Sequence, residues 1–409
     1  MLSDEDKRQN SGEPPNGGLR AWSVALGAFA AQMCTFGYIN TFGIFQSYYS
    51  EAFLSSKSAS AISWIGSLQA FFLFLLGAVS GPMSDRLGVK AVIIPASITL
   101  IFSVMMTSLS HQYYQFILGQ GVLGGMACGL IFTPVVSCVG QYFTTRRALA
   151  MGVVVSGAAI GGIVFPVTLN RLLNHHNLSF DWSVRIIGFI MLVLLIYACL
   201  VTREFSPRRQ KDTFLPSAFK SWPYNLTNAG FLLALLGLYT PMFYIADYAL
   251  EHGMSSQMAL YQVAIFNAPS FFGRTIPNFV GDKIGRFNMT ILTYASCAVL
   301  LFCWTAATSN AAIMVWIAFF GFFSGAAFSL YSPTVAQVCP NTSDIGTYIG
   351  QGLAICSFGA LGGTPINGAL IRNYGYLEAS MFSAAMVTAG LICQIIARFL
   401  LERRLSAVV

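Results

Sequence analysis

Few residues of this chain could take part in chemistry, and Arg274 is the most conspicuous of them. It lies in the apolar run 258–280 and is the one ionisable residue well inside any such run. A cation in hydrocarbon is unfavourable unless it meets a counter-ion or a ligand. We therefore predict that Arg274 faces a central cavity and attracts an anionic group. The alternative is that its long side chain reaches the headgroups or ties two helices together.

Neutral polar side chains within other apolar runs could complete such a site. They offer amide donors and acceptors, which can bind a polar solute without adding charge. Hydrogen bonding between neighbouring helices is the alternative for each of them. The candidates are Asn40, Gln120 and Asn267.

Other kinds of site receive little support from the sequence. Histidine, aspartate and glutamate do not cluster at one depth of the apolar runs, so we expect no catalytic residues and no enzyme. The nine cysteines lie in or beside apolar runs without metal-ligand spacing, and we expect no metal and no cofactor. Without an ATP-binding loop, any pumping would draw on a solute or ion gradient. Asn177 begins an Asn-Leu-Ser glycosylation sequon in a short loop.

The composition places these residues in a membrane. Hydrophobic residues make up 56% of the 409 positions and charged residues 9%, against about 25% in a soluble domain. This excludes soluble enzymes and nucleic-acid binders, and it makes the lipid bilayer the chief partner. Runs of about 20 apolar residues are long enough to span. Twelve are predicted: 22–45, 61–80, 91–109, 113–139, 148–170, 185–202, 228–250, 258–280, 289–308, 311–336, 347–371 and 379–402.

Basic residues set the predicted orientation. Seventeen lysines and arginines fall on the side that holds both chain ends and four on the other, so both ends are predicted to be cytoplasmic. The plasma membrane is the expected location, and a monomer the expected working unit. The predicted fold class is an all-α membrane protein of two pseudo-symmetric six-helix bundles. Its segments are a tail 1–21, a bundle 22–202, a linker 203–227, a bundle 228–402 and a tail 403–409.

A short motif after the second predicted span recurs after the eighth. Asp85 and Asp282 are 197 positions apart, and Pro134 and Pro333, in equivalent spans, are 199 apart. Similar offsets indicate two equivalent halves. An acidic residue in such a hairpin can lie at a helix N-terminus, where it would bias a two-state equilibrium. The predicted gating residues are Gly81, Asp85, Arg86, Gly88, Lys90, Asp282, Gly285 and Arg286.

The motif and the twelve runs resemble the major facilitator superfamily. Pro15-Asn16-Gly17-Gly18 resembles the entry signature of its monocarboxylate-porter family, and the segments 37–46 and 182–185 resemble the fungal branch. The resemblance covers essentially all residues after Glu13. It implies a secondary active transporter that moves a small organic solute by alternating access.

Departures from that family limit what the resemblance implies about substrate. Asn40 stands where animal monocarboxylate carriers have a lysine, and Ser270 stands where they have an aspartate one turn before the arginine matched by Arg274. A proton-coupled lactate mechanism therefore cannot be transferred intact. We expect a monocarboxylate or related organic anion as substrate. The alternative is export of a secondary metabolite from a biosynthetic gene cluster.

Overall fold

The computed structural model describes residues 16–143, 145–174, 178–205, 214–341 and 344–402, and the regular structure within these ranges is helical. Asn177, most of the predicted tails and part of the linker lie outside the described residues. The helices, in chain order, are α1 Gly18–Phe53, α2 Ala59–Leu75 continued by Gly77–Leu87, α3 Val89–Ser108, α4 Tyr113–Tyr142, α5 Arg147–Asn174, α6 Phe180–Val201, α7 Trp222–Glu251, α8 Ser256–Ile284, α9 Arg286–Phe302, α10 Asn310–Val338, α11 Ile345–Tyr374 and α12 Tyr376–Leu401.

Ten of the described helices are long and apolar enough to cross a membrane. The prediction of twelve spans is supported only to that extent. Helix α9 is apolar but has 17 residues, and α8, which carries Asn267 and Arg274, is not among the ten. The polar residues that make α8 a candidate site helix also lower its hydropathy.

Some helices begin where the sequence supplies a cap. Ser58, Ser255 and Ser309 each precede a helix, and each side-chain oxygen accepts a hydrogen bond from the backbone N–H three residues later. Such a cap satisfies one of the amides that a first turn leaves unpaired.

The predicted ends of α9 were wrong. The run 289–308 is replaced by a helix that ends at Phe302 and a short 3-10 turn, Trp304–Ala306. Trp304 is fully buried and stacks on Trp316 of α10, with ring centroids 5.4 Å apart. Packing of this indole therefore holds a short connection between α9 and α10, where hydropathy alone predicts a continuous helix.

The two halves of the chain meet chiefly along two helix pairs. Helix α5 packs on α8, and α2 packs on α11. The α2–α11 contact is close: a Cβ on Gly81 would lie 2.5 Å from the Gly346 carbonyl oxygen. Only glycine permits that approach, so close packing of α2 on α11 explains why the predicted gating residue at position 81 is a glycine.

The α2–α3 and α8–α9 turns lie on one face of the bundle, which we call the turn face; the other is the far face. Asp282, beside the second turn, contacts the start of α5, and Asp85, beside the first, contacts the start of α11. The end of α12 lies there too, because Arg398 Nε donates to Asn288 Oδ1 at 2.7 Å. The turn face is therefore the face predicted to be cytoplasmic.

Candidate substrate site and gate

Arg274 lies between the two halves of the chain. Its side chain is 2% exposed, so it does not point toward lipid. Its Nη1 donates to the Val155 carbonyl oxygen on α5 at 3.4 Å, and its Nε donates to Ser270 Oγ at 3.2 Å. These bonds use two of the five N–H groups of a guanidinium. Among the described residues, no carboxylate pairs with it.

Aromatic rings from both halves surround this guanidinium. The rings of Phe36 on α1 and Phe328 on α10 each have their centroid 5.9 Å from its Cζ, within the range of a cation–π interaction. Tyr239 on α7 lies near Arg274, and its ring packs 5.4 Å from that of Phe328. The Tyr239 hydroxyl is buried and has no hydrogen-bond partner among the described residues.

Arg274 and the residues around it (Ser270, Phe36, Phe328 and Tyr239), which we call the substrate centre, have groups free to bind a ligand. Three guanidinium N–H groups and a phenol hydroxyl remain for a ligand, and π faces surround them. Water or an organic anion could satisfy the N–H groups, whereas rings of a ligand could stack on Phe36 and Phe328. The arrangement suits an anionic solute with an apolar or aromatic body.

Asn40 and Asn267 form a second polar contact between the halves. Asn40 Nδ2 donates to Asn267 Oδ1 at 3.2 Å, and Asn267 Nδ2 donates to the Gly162 carbonyl oxygen at 3.2 Å. Asn267 is two helical turns from Arg274 on α8, on its far-face side. Phe42 on α1 and Phe243 on α7 meet beyond it, with centroids 6.1 Å apart. The halves thus touch on the far-face side of Arg274 as well.

Gln120 does not join this group. It lies in α4, and its Oε1 accepts a hydrogen bond from the Tyr49 hydroxyl of the same half at 2.7 Å. Tyr49 is itself fully buried against Phe116, with ring centroids 4.1 Å apart. The structure therefore places Gln120 in a contact within the first half.

Four residues around Arg274 were not among the predicted site residues: Ser270, Tyr239, Phe36 and Phe328. In the sequence Ser270 stands out only as a departure from a family pattern, yet its hydroxyl accepts a hydrogen bond from the Arg274 side chain. Tyr239 was one of many aromatic residues in apolar runs, and no pattern distinguished it. A spacing of four places Ser270 and Arg274 on one helical face, so that contact could have been found.

Asp282 joins the halves at the turn face. Its carboxylate oxygens accept hydrogen bonds from the backbone N–H groups of Ala148 (3.3 Å) and Leu149 (3.1 Å), in the first turn of α5. Arg286 Nη2 donates to the same carboxylate at 3.0 Å. The negative charge therefore lies at the positive end of the α5 dipole, as the sequence suggested for such a residue.

Asp85 makes the equivalent contact with the halves exchanged. Its Oδ2 accepts a hydrogen bond from Thr347 Oγ1 at 3.4 Å, in the first turn of α11. The turn that follows is built on Gly88, whose φ of 92° is matched by 104° at Gly285. Both values favour glycine over residues with a side chain. Two predicted gating glycines thus form the turns beside the two carboxylates.

Lys90 follows Gly88 by two residues, but its side chain extends toward α6. Its Nζ donates to the Leu200 carbonyl oxygen at 3.0 Å, which joins α3 to α6 within the first half. Arg86 lies in the last turn of α2, beside the Gly88 turn. Among the predicted gating residues, Asp85, Asp282 and Gly81 lie in contacts between the halves.

Known proteins that are similar to this chain are membrane transporters. Residues 24–364 match the family model described as the Major Facilitator Superfamily. The aspyridones efflux protein apdF of Emericella nidulans is 46% identical over 92% of this chain and 77% of its own length. The agnestins efflux protein AgnL12 of Paecilomyces divaricatus is 40% identical over 93% and 87%, respectively.

A solved structure shares the fold. The human organic anion transporter MFSD10 (TETRAN) superposes with a TM-score of 0.74 at 12% identity, over 93% of this chain and 100% of that one. At that identity the likeness concerns the fold alone.

Proposed function

The chain belongs to the Major Facilitator Superfamily, and we propose that this transporter exports an anionic secondary metabolite, with Arg274 as the residue that binds the anionic group. The two relatives named above are called efflux proteins, not members of the monocarboxylate-porter family that the sequence resembles. The relatives described above are fungal efflux transporters.

The observation that carries the proposal is the position of Arg274. The guanidinium lies at the contact between halves and is 2% exposed. Among the described residues it has no acidic partner, so its charge is balanced only by dipoles and π faces. A charge in such surroundings gains most from an anion that enters the site. The body of the metabolite would lie against Phe36, Phe328 and Tyr239.

The names of two relatives support export as the direction of transport. Both are called efflux proteins of a secondary metabolite, and each matches more than nine-tenths of this chain.

We further propose that transport proceeds by alternating access. The Asp85 and Asp282 contacts would hold the turn face closed, and their release would open the substrate site toward that face. The Asn40–Asn267 and Phe42–Phe243 contacts would do the same on the far-face side. Residues Gly81, Gly88 and Gly285 would allow the close packing and tight turns of the closed state.

We propose that α8 and α9 cross the bilayer as well, which gives twelve spans. Both chain ends and the turn face would be cytoplasmic, since basic residues concentrate there. The plasma membrane and a monomer are the proposed location and working unit.

Monocarboxylate transport is the second candidate function. Arg274 would bind a small carboxylate as readily as a larger acid, which favours it. The neutral residues Asn40 and Ser270 argue against proton-coupled transport of the lactate type. Initial rates of uptake of radiolabelled lactate and acetate by cells that express the chain would distinguish the candidates.

The proposal is tested by export from the source organism. Deletion of the gene is expected to raise the ratio of intracellular to extracellular concentration for one or more acidic metabolites, as measured by mass spectrometry. The unaltered gene should restore export, and Arg274→Gln should not. Arg372→Gln removes an exposed arginine elsewhere and serves as the matched control.

Two results would contradict the proposal. If Arg274→Gln restored export as fully as Arg372→Gln, no anionic site would exist at Arg274. If deletion left every acidic metabolite unchanged while lactate uptake fell, the second candidate function would replace the first.

A further inference from the structure

A groove on the outer surface of the first half is lined by residues that make none of the contacts described between the halves. It has a volume of about 430 Å³ and lies between α3 and α6. Ile94, Ile98 and Ile101 line it from α3, and Leu195 and Leu200 from α6. Ile98 is 67% exposed and Leu200 is 69% exposed, so the groove opens toward the surrounding membrane.

The length of the groove matches one leaflet of a bilayer. Lys90 lies at its turn-face end and Ile101 at the other, eleven residues along α3. At 1.5 Å per residue this is about 16 Å. Half of the hydrocarbon core is about 15 Å. The groove therefore extends from the headgroup level to about the bilayer centre, as one acyl chain does.

The charge at its mouth indicates the headgroup. Lys90 Nζ donates one hydrogen bond, to the Leu200 carbonyl oxygen, and an ammonium group has three donors. Arg203 follows three residues after Leu200 and is exposed at the same face. The nearby carboxylate of Glu204 accepts a hydrogen bond from Val89 N, at the start of α3. Lys90 and Arg203 carry two positive charges against the one negative charge of Glu204. This net positive charge favours an anionic headgroup over a zwitterionic one.

We infer that the α3–α6 groove holds one acyl chain of an anionic glycerophospholipid, whose phosphate binds Lys90. This site is separate from the substrate centre, because none of the residues that surround Arg274 lies on α3 or α6. A lipid there would join α3, which carries the Gly88 turn, to α6. It would stabilise the first half in each state of the transport cycle.

Native mass spectrometry tests the inference. The purified protein is released from nanodiscs that contain equal amounts of phosphatidylserine and phosphatidylcholine of the same chain length. We expect one retained phosphatidylserine per protein. Lys90→Gln should reduce the preference for phosphatidylserine about fivefold, the effect of one basic residue near a headgroup. Lys220→Gln, at an exposed position outside the groove, should leave the preference unchanged.

A second pair of variants tests the acyl-chain site. Ile98→Trp should fill the groove and abolish retention of the lipid. Val193→Trp, on α6 but outside the groove lining and 68% exposed, should retain it. Equal retention of both lipids by the unaltered protein would overturn the anionic headgroup, and retention by Ile98→Trp would overturn the groove. If Ile98→Trp does not fold, the Lys90→Gln comparison decides alone. Neither result bears on Arg274 or on export.

Discussion

The proposed opening of the turn face requires the contact of Asp282 with α5 to break. Ala148 and Leu149 lie in the first turn of α5, where backbone N–H groups have no partner within the helix. Both donate instead to Asp282, on the other half of the chain. Protection of these two amides from exchange therefore reports directly whether the contact is formed.

Replacing Asp282 with asparagine changes this contact with little change of shape. The asparagine retains one acceptor oxygen, so one of the two hydrogen bonds is lost together with the negative charge at the helix end. The Asp282 side chain is only 10% exposed, so solvent screens little of the effect. Hydrogen bonds to charged groups and dipole contacts together suggest a loss of about 1–3 kcal/mol, or about 5- to 150-fold in the opening equilibrium.

The assay is hydrogen–deuterium exchange with residue resolution at the start of α5. Asp282→Asn should speed exchange at Ala148 and Leu149 by about that factor. Asp181→Asn is the matched control, because Asp181 lies in the first turn of α6 and its loss leaves the α5 contact intact. Unchanged exchange in Asp282→Asn would refute the reasoning, since the carboxylate would then not hold the turn face closed.

Three further perturbations have defined outcomes. Gly81→Ala should prevent closure of the turn face and slow transport, because its Cβ would lie 2.5 Å from the Gly346 carbonyl oxygen. Gly119→Ala is the control and should transport normally, because its Cβ would have no neighbour nearer than 3.8 Å. Equal transport rates in the two variants would contradict this prediction. Asn40→Leu and Asn267→Leu should be non-additive by about 0.6 kcal/mol for unfolding in mixed micelles, and additive effects would mean that their hydrogen bond contributes nothing. Burial raises the pKa of the Cys339 thiol to about 11, so N-ethylmaleimide at pH 8 should label the exposed Cys303 before Cys339. Asp282→Asn should speed the labelling of Cys339. Labelling of Cys339 as fast as Cys303 in the unaltered protein would contradict this prediction.

Much of the fold could be predicted because lipid imposes a simple rule. Apolar runs of about 20 residues must be helices, and these runs agree with the observed helices except at their ends. Helix α1 extends from Gly18 to Phe53, well beyond the predicted 22–45, because helices continue past the hydrocarbon when their ends are solvated or packed. The end of α9 depends on burial of Trp304, which hydropathy cannot indicate.

The site was only partly predictable for a related reason. A polar residue in an apolar run indicates depth in the membrane but not the direction in which the side chain points. Arg274 is unusual enough to identify by charge alone, and Asp85 and Asp282 by their repeated motif. Gln120 was indistinguishable from Asn267 in sequence, yet one binds within its own half and the other across the halves. Tyr239 acquires significance only because it lies beside Arg274.

The most direct test of the account compares an exported acid with its neutral methyl ester in inverted membrane vesicles. The unaltered protein should transport the acid more than tenfold faster than the ester. The ester leaves the buried guanidinium without an anionic partner, which costs at least about 2 kcal/mol of binding free energy. Arg274→Gln should remove that preference, and Arg274→Lys should retain part of it. If Arg274→Gln still prefers the acid by the same factor, the anionic group binds elsewhere and the central claim is wrong.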